Sequence, residues 1–449
     1  MLALLRSLLR PMLTRSALWD GAASGNRTAN WTSTARSANS YFDNPAIMRA
    51  RAEREYRNNP YARRAVDALV NAAVGASGIN PQFTDRLVQA AWERWSGYSW
   101  APFVSEALQT VIVSGEAFVL LAIDDQVDGV PLRPVVLGPE HLDTSRIDRD
   151  TYDGISYANG RPAGYWLYRR NPVATQSVIA ASGLLSEFVS AADCLHVFRP
   201  IAAGAQRGQT WLAPVLLALR ELGEYLEAAL VKAKVSALFT GYVRTPDGSN
   251  PLATNGTPTL EPGSMTRLNP GEELEFTEPP DAGATFDPFV RAQLRRIAAG
   301  LGIPYEVLSG DLSQVTFASG RHGLLEFRRT IEAIQYNLLV PRLCEPILRR
   351  WARIAAALSE IDAEPGKVRW IAPGISMLDE GADVRATIAR IRGGLISRSE
   401  AVAAMGWRAE DIDAELAADN ARADRLGLTL DSDPRKTTAQ GQQQQELPA

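Results

Sequence analysis

The sequence predicts an α+β chain that is mainly helical, and three observations predict it. Long stretches carry apolar residues at three- and four-residue spacing, as at Trp211, Val215, Leu219, Leu222, Leu226 and Leu230. One block, 104–200, instead carries short alternating or apolar runs separated by Asp153-Gly154 and Asn159-Gly160, both hairpin-turn dipeptides. At 449 residues the chain exceeds one compact core and suggests two or three domains, or an elongated body with appendages.

Taken in order, residues 18–45 are rich in Ser, Ala, Thr and Asn and read as a mobile arm. The stretch before them, MLALLRSLLRPMLTRSALW, is broken by Arg6, Arg10 and Pro11 into apolar runs too short for a secretory core. It reads either as an amphipathic arm that docks on a partner or membrane, or as a short helix or frayed terminus. A helix pattern starts at Asn44 and runs past RNNPYARRAVDALVNAAVG at 57–75, with Pro60 dividing it and Gly75 as its C-cap. DRLVQAAWERW at 85–95 gives a shorter amphipathic helix, and another covers Phe103–Ser114. Strand candidates are Ala117–Ile123, Val130–Leu137, Gly164–Tyr168 and Cys194–Phe198, forming a mainly antiparallel sheet.

The stripe from Trp211 to Ala233 predicts a rod of about 40 Å whose single apolar face needs a neighbour, from its own chain or from another copy. Residues 240–285 are rich in Pro, Gly and Thr, with short strand candidates at Gly241–Arg244 and Glu273–Phe276. A helix returns at 288–302 and is stopped by Gly302 and Pro304. A flexible strip follows, Ser309 to Thr316, and a second helix starts near Arg321. Helix, small-residue loop, helix is a way to hold a mobile loop on a rigid frame. The pattern from Arg321 to Leu358 should kink or break at Pro341 and Pro346. Short helices finish the fold between Leu378 and Asp424, starting near Ser397 and Arg408, and the tail from Asp431 is disordered by composition.

The chemistry is as informative for what it excludes. A net charge of −4 and a pI near 5.7 argue against a global non-specific DNA coat. Two distant cysteines, Cys194 and Cys344, form no framework and fit a reducing cytosol, and three histidines at no shared metal spacing make a histidine zinc site unexpected. No stretch approaches the roughly 20 apolar residues of a membrane span. Pro365-Gly366-Lys367-Val368 fails as a phosphate loop, and no dinucleotide fingerprint or nucleophile elbow is present. Asp124, Asp125 and Asp128 read as a solvated turn; Glu410, Asp411, Asp413 and Glu415 complement a helix dipole. No catalytic residue, metal or cofactor is expected.

Arginines are dense on the last long helices: Arg291, Arg295 and Arg296, then Arg321, Arg328, Arg329, Arg342, Arg349, Arg350 and Arg353. They read either as a phosphate-facing stripe or as a solvated face pairing with Glu326, Glu332 and Glu345 at helical spacing.

Five segments in order and spacing give the chain a specific resemblance: RNNPYARRAVDALVNAAVG at 57–75, VSGEAFV at 113–119, DCLHVFRPIAAGAQRGQTWLAPVL at 193–216, RIAAGLGIPYEVLSG at 296–310 and GGLISRSEAVAAMGW at 393–407. Over roughly residues 40–430 the chain resembles the portal proteins of tailed bacteriophages, in particular the lambda-like portal family. The resemblance implies the portal fold of wing, stem, clip and crown, assembled as a ring, usually a dodecamer, at one capsid vertex. Through that ring a separate terminase motor pumps double-stranded DNA, and the tail connector docks later. The competing readings are a head–tail adaptor or assembly scaffold, and a packaging enzyme, which would need clustered carboxylates for two metals.

Carried over by position, the resemblance implies a flexible arm at 1–44, a wing at 45–208, stem helices at 209–239 and 287–304, and a clip at 240–286. It implies a tunnel loop at 305–320, a long kinked wing helix and return segment at 321–374, a crown at 375–430 and a disordered tail at 431–449. The DNA-channel candidates are Arg291, Arg295, Arg296, Ser313, Gln314, Thr316, Ser319, Arg321 and His322. Trp211, Val215, Leu219, Leu222, Leu226 and Leu230 are the subunit-interface candidates. Tyr242, Arg244, Arg267, Glu273 and Phe276 are the clip candidates for docking a partner. The implied partners are further copies of the chain, duplex DNA read without sequence specificity, the terminase large subunit, a head–tail adaptor and the major capsid protein, with no membrane. The implied location is the virion, after assembly in the host cytoplasm.

Overall fold

The computed structural model describes residues 45–127, 129–169, 185–238, 242–244, 273–275, 286–366, 368–374 and 380–430, with Asp433, Arg435 and Lys436. The expectations for the N-terminal arm, Asp128, Arg267 and Phe276 lie outside them.

Two helices open the described chain, α1 (Pro45–Asn58) and α2 (Pro60–Val74). Asn59 separates them because a residue before proline is pushed to extended backbone, and its side chain then caps the next helix. Its Oδ1 accepts from Tyr61 N at 3.0 Å and Ala62 N at 3.3 Å. The buried face of α2, from Ala62 and Val66 to Leu69 and Ala73, has the expected period. Gly75 ends it at φ +59°, and a Cβ there would sit 2.9 Å from Pro373. The pairing of β1 (Asn80–Gln82) with a strand near residue 370 was not legible locally. Then come α3 (Arg86–Ser96) and α4 (Trp100–Ser114).

Two antiparallel sheets follow. The first has the order β3-β2-β8, from β2 (Glu116–Ile123), β3 (Leu132–Leu137) and β8 (Cys194–Phe198). The second runs in sequence order: β4 (Thr151–Tyr152), β5 (Ile155–Ala158), β6 (Arg161–Tyr168) and β7 (Ser186–Ser190). Asp153 and Gly154 (φ 54° and 78°) and Asn159 and Gly160 (φ 51° and 73°) make its two tight turns, as their sequence predicts.

The rod is α5 (Leu216–Leu238), 23 residues and so about 34 Å long; Trp211 to Val215 form turns ahead of it. Strands β9 (Tyr242–Arg244) and β10 (Glu273–Glu275) pair antiparallel, and the chain returns through α6 (Phe286–Leu301) and a short α7 (Tyr305–Ser309).

The next helix departs from expectation. α8 (Phe317–Ile334) starts a turn before Arg321, because Thr316 and Ser319 cap it reciprocally: Ser319 N to Thr316 Oγ1 at 3.3 Å, Thr316 N to Ser319 Oγ at 3.0 Å. Pro341 and Pro346 do not break the pattern. Gln335–Cys344 winds as a π-helix, and Pro346 falls at the first turn of α9 (Glu345–Ala357). The wider π turn takes up the missing N–H and the ring of Pro341 without a chain break. β11 (Arg369–Ile371) closes on β1, and α10 (Glu380–Arg392), α11 (Arg398–Ala404) and α12 (Ala409–Leu426) complete the fold. Ser397 caps α11 as expected, its Oγ accepting from Glu400 N at 3.0 Å. Part of the segment expected to be disordered docks instead: Asp433 is buried, and Lys436 Nζ reaches Asp424 at 2.5 Å.

One hydrophobic core joins α2, α4, α9, the π-helix and the start of α5. At its centre Trp92 meets Trp95, Trp351 and Trp100 at ring distances of 5.0, 5.2 and 5.3 Å. Phe118, Ile155, Tyr165 and Leu167 form a second, smaller core between the sheets.

Candidate functional site

The loop expected at 305–320 is shorter than its sequence suggested. Residues 305–309 are helical, and Thr316 and Ser319 are committed to the α8 cap, which leaves 310–316 as the connection. Gly310 ends α7 in the left-handed region at φ 74°. Asp311 then organises the base of the loop. Its carboxylate accepts from Tyr305 Oη at 3.1 Å and from Ser313 N at 3.0 Å, and its own N–H donates to Ser309 Oγ at 3.1 Å. Hydrogen bonds from Ser313, with smaller contributions from Tyr305 and Arg291, bring its carboxyl down to about 2. Leu312, Ser313 and Gln314 are exposed beyond it. From the first family segment, Arg64 Nε donates to Val307 O at 2.7 Å, tying α2 to α7.

The three α6 arginines have different surroundings. Leu294, Ile297 and Ala298 face the core. Arg291 pairs with Asp287 at 3.0 Å and with Asp311 at 3.7 Å, and Arg295 lies over the Tyr305 ring at 5.4 Å. Arg296 is exposed on the face away from the core, and no described carboxylate pairs with it. One turn into α8, Arg321 pairs with Asp383 of α10 at 3.2 Å and His322 is exposed. Farther along, Arg328–Glu332 and Arg349–Glu345 at 3.0 Å and Arg329–Glu326 at 3.4 Å are within-helix pairs. For these three the solvated, paired face is what the structure shows.

The rod candidates divide in two. Val215, Leu219 and Leu222 are at most 3% exposed and so are covered by their own chain, while Trp211 and Leu226 are half-buried against the same core. Of the two neighbours the stripe allowed, its own chain is the one that covers Val215, Leu219 and Leu222, which corrects their place among the subunit-interface candidates. Beyond Leu226 the rod leaves the core, and Leu230 and Val231 are 55% and 53% exposed. α6 runs back beside it, with Tyr225 against Phe289 at 4.9 Å and Phe286 at 5.8 Å. Of the clip candidates, Tyr242, Arg244 and Glu273 lie on the β9–β10 pair, with Glu273 opposite Arg244.

Sequence reasoning missed an ionic hub that joins the second and third family segments. Glu116 is fully buried at the start of β2. Arg207 Nε donates to both its oxygens at 2.9 and 3.0 Å, His196 Nε2 at 2.9 Å and Gly208 N at 2.9 Å, with Arg49 at 3.8 Å. Arg207 also pairs with Asp153 in the β4–β5 turn. Burial pushes the Glu116 carboxyl up, but Arg207 and His196 together outweigh it and hold it well below the carboxylate range. Burial lowers His196, which therefore donates from Nε2 as a neutral ring, stacked on Phe118 at 4.5 Å. Gly115 and Gly208 make this possible. A Cβ on Gly115 (φ +96°) would lie 2.5 Å from the Gln209 carbonyl carbon, and one on Gly208 would collide with the Gly115 carbonyl. The available signal was a single carboxylate opening an otherwise apolar strand, EAFVLLAI.

No described helix is long and apolar enough to cross a membrane, and no described group of three or more His, Cys, Asp or Glu could hold a metal ion.

The chain is 24% identical to a probable portal protein of Halomonas phage phiHAP-1 over 93% of this chain and 88% of that protein. It is 22% identical to the portal protein of Escherichia phage N15 over 91% of this chain and 90% of that one. It is also 24% identical to portal protein B of Escherichia phage lambda over 50% and 49% of the two chains. Among solved structures, a chain in the virion of a native gene transfer agent particle aligns with a TM-score of 0.47 at 16% identity, covering 80% of this chain and 92% of its own length. One in the neck of the empty particle aligns at 0.46 and 16% identity, covering 84% and 97%. The model of the phage portal protein, lambda family, matches residues 24–335, more than half of the chain, and the protein belongs to that family.

Proposed function

We propose that copies of this chain close into a ring at one capsid vertex, with duplex DNA entering and leaving through its axis. The observation that carries this reading is the outward excursion of α5 and α6. The two helices leave the core together, the β9–β10 pair lies between them in sequence, and Leu230 and Val231 stay uncovered. Burying the exposed half of two such side chains against a sibling subunit contributes about 1–1.5 kcal/mol each, and a closed ring repeats that contact at every interface.

In this reading α5 and α6 are the stem, the β9–β10 region is the clip that meets the terminase large subunit and later a head–tail adaptor, and α10–α12 are the crown. The α1–α4 and sheet region, with α8 and α9, is the wing that meets the major capsid protein. Loop 310–316 faces the channel with Ser313 and Gln314, and Arg296 is the α6 arginine with neither a described carboxylate nor a described ring beside it. Such contacts address phosphates and carry no base readout. The subunit number, a dodecamer by resemblance, and assembly in the host cytoplasm belong to the same proposal. The ring acts as a conduit and catalyses nothing; packaging is driven by the separate motor. Native mass measurement and negative-stain images of the purified chain, with and without capsid components, test it. Annular particles of one mass support the reading, and a persistent monomer in both conditions refutes it.

A further inference from the structure

We propose that Asp311 is a latch that holds loop 310–316 on α6 and withholds α6 arginines from DNA phosphate; this rests on the conduit reading for its ligand. Three observations carry it. Asp311 ties the loop to both preceding helices, through Tyr305 Oη of α7 at 3.1 Å and Arg291 Nε of α6 at 3.7 Å. The same Tyr305 ring lies under Arg295, so one tyrosine engages the latch with its hydroxyl and an arginine with its face. Gly310, left-handed at φ 74° with open space apart from Arg64 at 3.6 Å, supplies a pivot directly before the latch.

The consequence concerns charge. With the loop seated, Arg291 faces two carboxylates, Asp287 and Asp311, and Arg295 is stacked. When the loop lifts about Gly310, Asp311 leaves Arg291 and Tyr305 together. Arg291 then keeps one carboxylate, and the Tyr305 ring loses its tether beneath Arg295. A lifted loop therefore exposes more positive charge to phosphate than a seated one. At the far end Arg321 stays paired with Asp383, so the loop moves as a strap anchored on α10.

The test compares Asp311→Asn with Asp287→Asn in the full chain, because both remove one carboxylate from Arg291 but only the first takes away one of the two oxygens that Tyr305 Oη and Ser313 N use to seat the loop. Hydrogen exchange across residues 310–316 should rise about fivefold in Asp311→Asn and in Tyr305→Phe, and stay at the wild-type rate in Asp287→Asn. Duplex binding should steepen by about one unit in its log K against log salt slope in Asp311→Asn, as one further phosphate contact per binding site requires. Equal exchange in all three variants and wild type overturns the latch, as does an equal rise in both Asn variants. Raised exchange with an unchanged salt slope overturns its control of phosphate binding. Arg296→Gln separates the two ideas: if it leaves the salt slope untouched, the phosphate-facing reading of α6 fails, whatever the loop does.

Discussion

Replacing Glu116 by Leu tests the hub and, with it, why two of the family segments take the residues they do. The change removes the carboxylate that Arg207, His196 and Gly208 share. It leaves a guanidinium whose side chain is 8% exposed with Asp153 as its remaining ion-pair partner. Removing one member of a buried pair costs about 3–5 kcal/mol, and the orphaned Gly208 N–H adds about 1–3 kcal/mol unless water reaches it. Against a total stability of about 5–15 kcal/mol for a typical folded domain this is severe. Urea unfolding followed by fluorescence of the Trp92–Trp351 cluster measures it. The double variant Glu116→Leu, Arg207→Met should recover at least about 2 kcal/mol of the single-mutant loss, since an apolar replacement of a buried pair is often close to neutral. Acid should weaken the wild type through the same hub. His196 has a folded value below its ordinary 6.5, so its contribution is complete above pH 6.5 and is lost as pH falls through that value toward the folded one. Glu116, lowered from 4.5, holds its contribution above pH 4.5 and loses it below. A Glu116→Leu single variant within about 1 kcal/mol of wild type, with no recovery in the double, would refute this reasoning.

Three further outcomes are expected. Leu230→Asp should leave the subunit folded by circular dichroism while blocking ring formation; Leu222→Asp, inside the core, should lower folded yield before any assembly step is reached. Replacing 312–315 by a Gly linker should leave rings intact and reduce DNA packaging or retention in complementation; normal filling counts against a channel role for the loop. Asn59→Ala should cost about 1 kcal/mol in urea unfolding through loss of the α2 cap, and a cost near zero would show that Pro60 alone starts the helix.

How much was legible in the sequence follows from the range of each interaction. Pro60, Gly75, Ser397 and the Asp-Gly and Asn-Gly turns act within a few residues, and each sits where its neighbours imply. Pro341 misled because its local cost is real, yet a π-helical stretch absorbs it, a solution set by buried neighbours such as Leu339 and Leu343. The rod showed the same limit: helical period reveals an apolar face but cannot say whether Leu219 meets its own chain or another. Thr316 and Ser319 looked like loop residues because small polar side chains favour loops and helix caps alike. The hub and the β1–β11 pair join residues 54 to 291 positions apart, and no local pattern announces them. The α6 arginines were found by composition, and only their carboxylate and aromatic neighbours told them apart.

The central claim is that these subunits enclose a channel, with the uncovered end of α5 at their mutual interface. Images of the purified chain across a series of rising concentrations test it most directly. The account predicts closed annuli with an axial hole wide enough for duplex DNA in the wild type and single subunits for Leu230→Asp. Folded wild-type subunits that stay monomeric, or stack into open chains without closing, would contradict it.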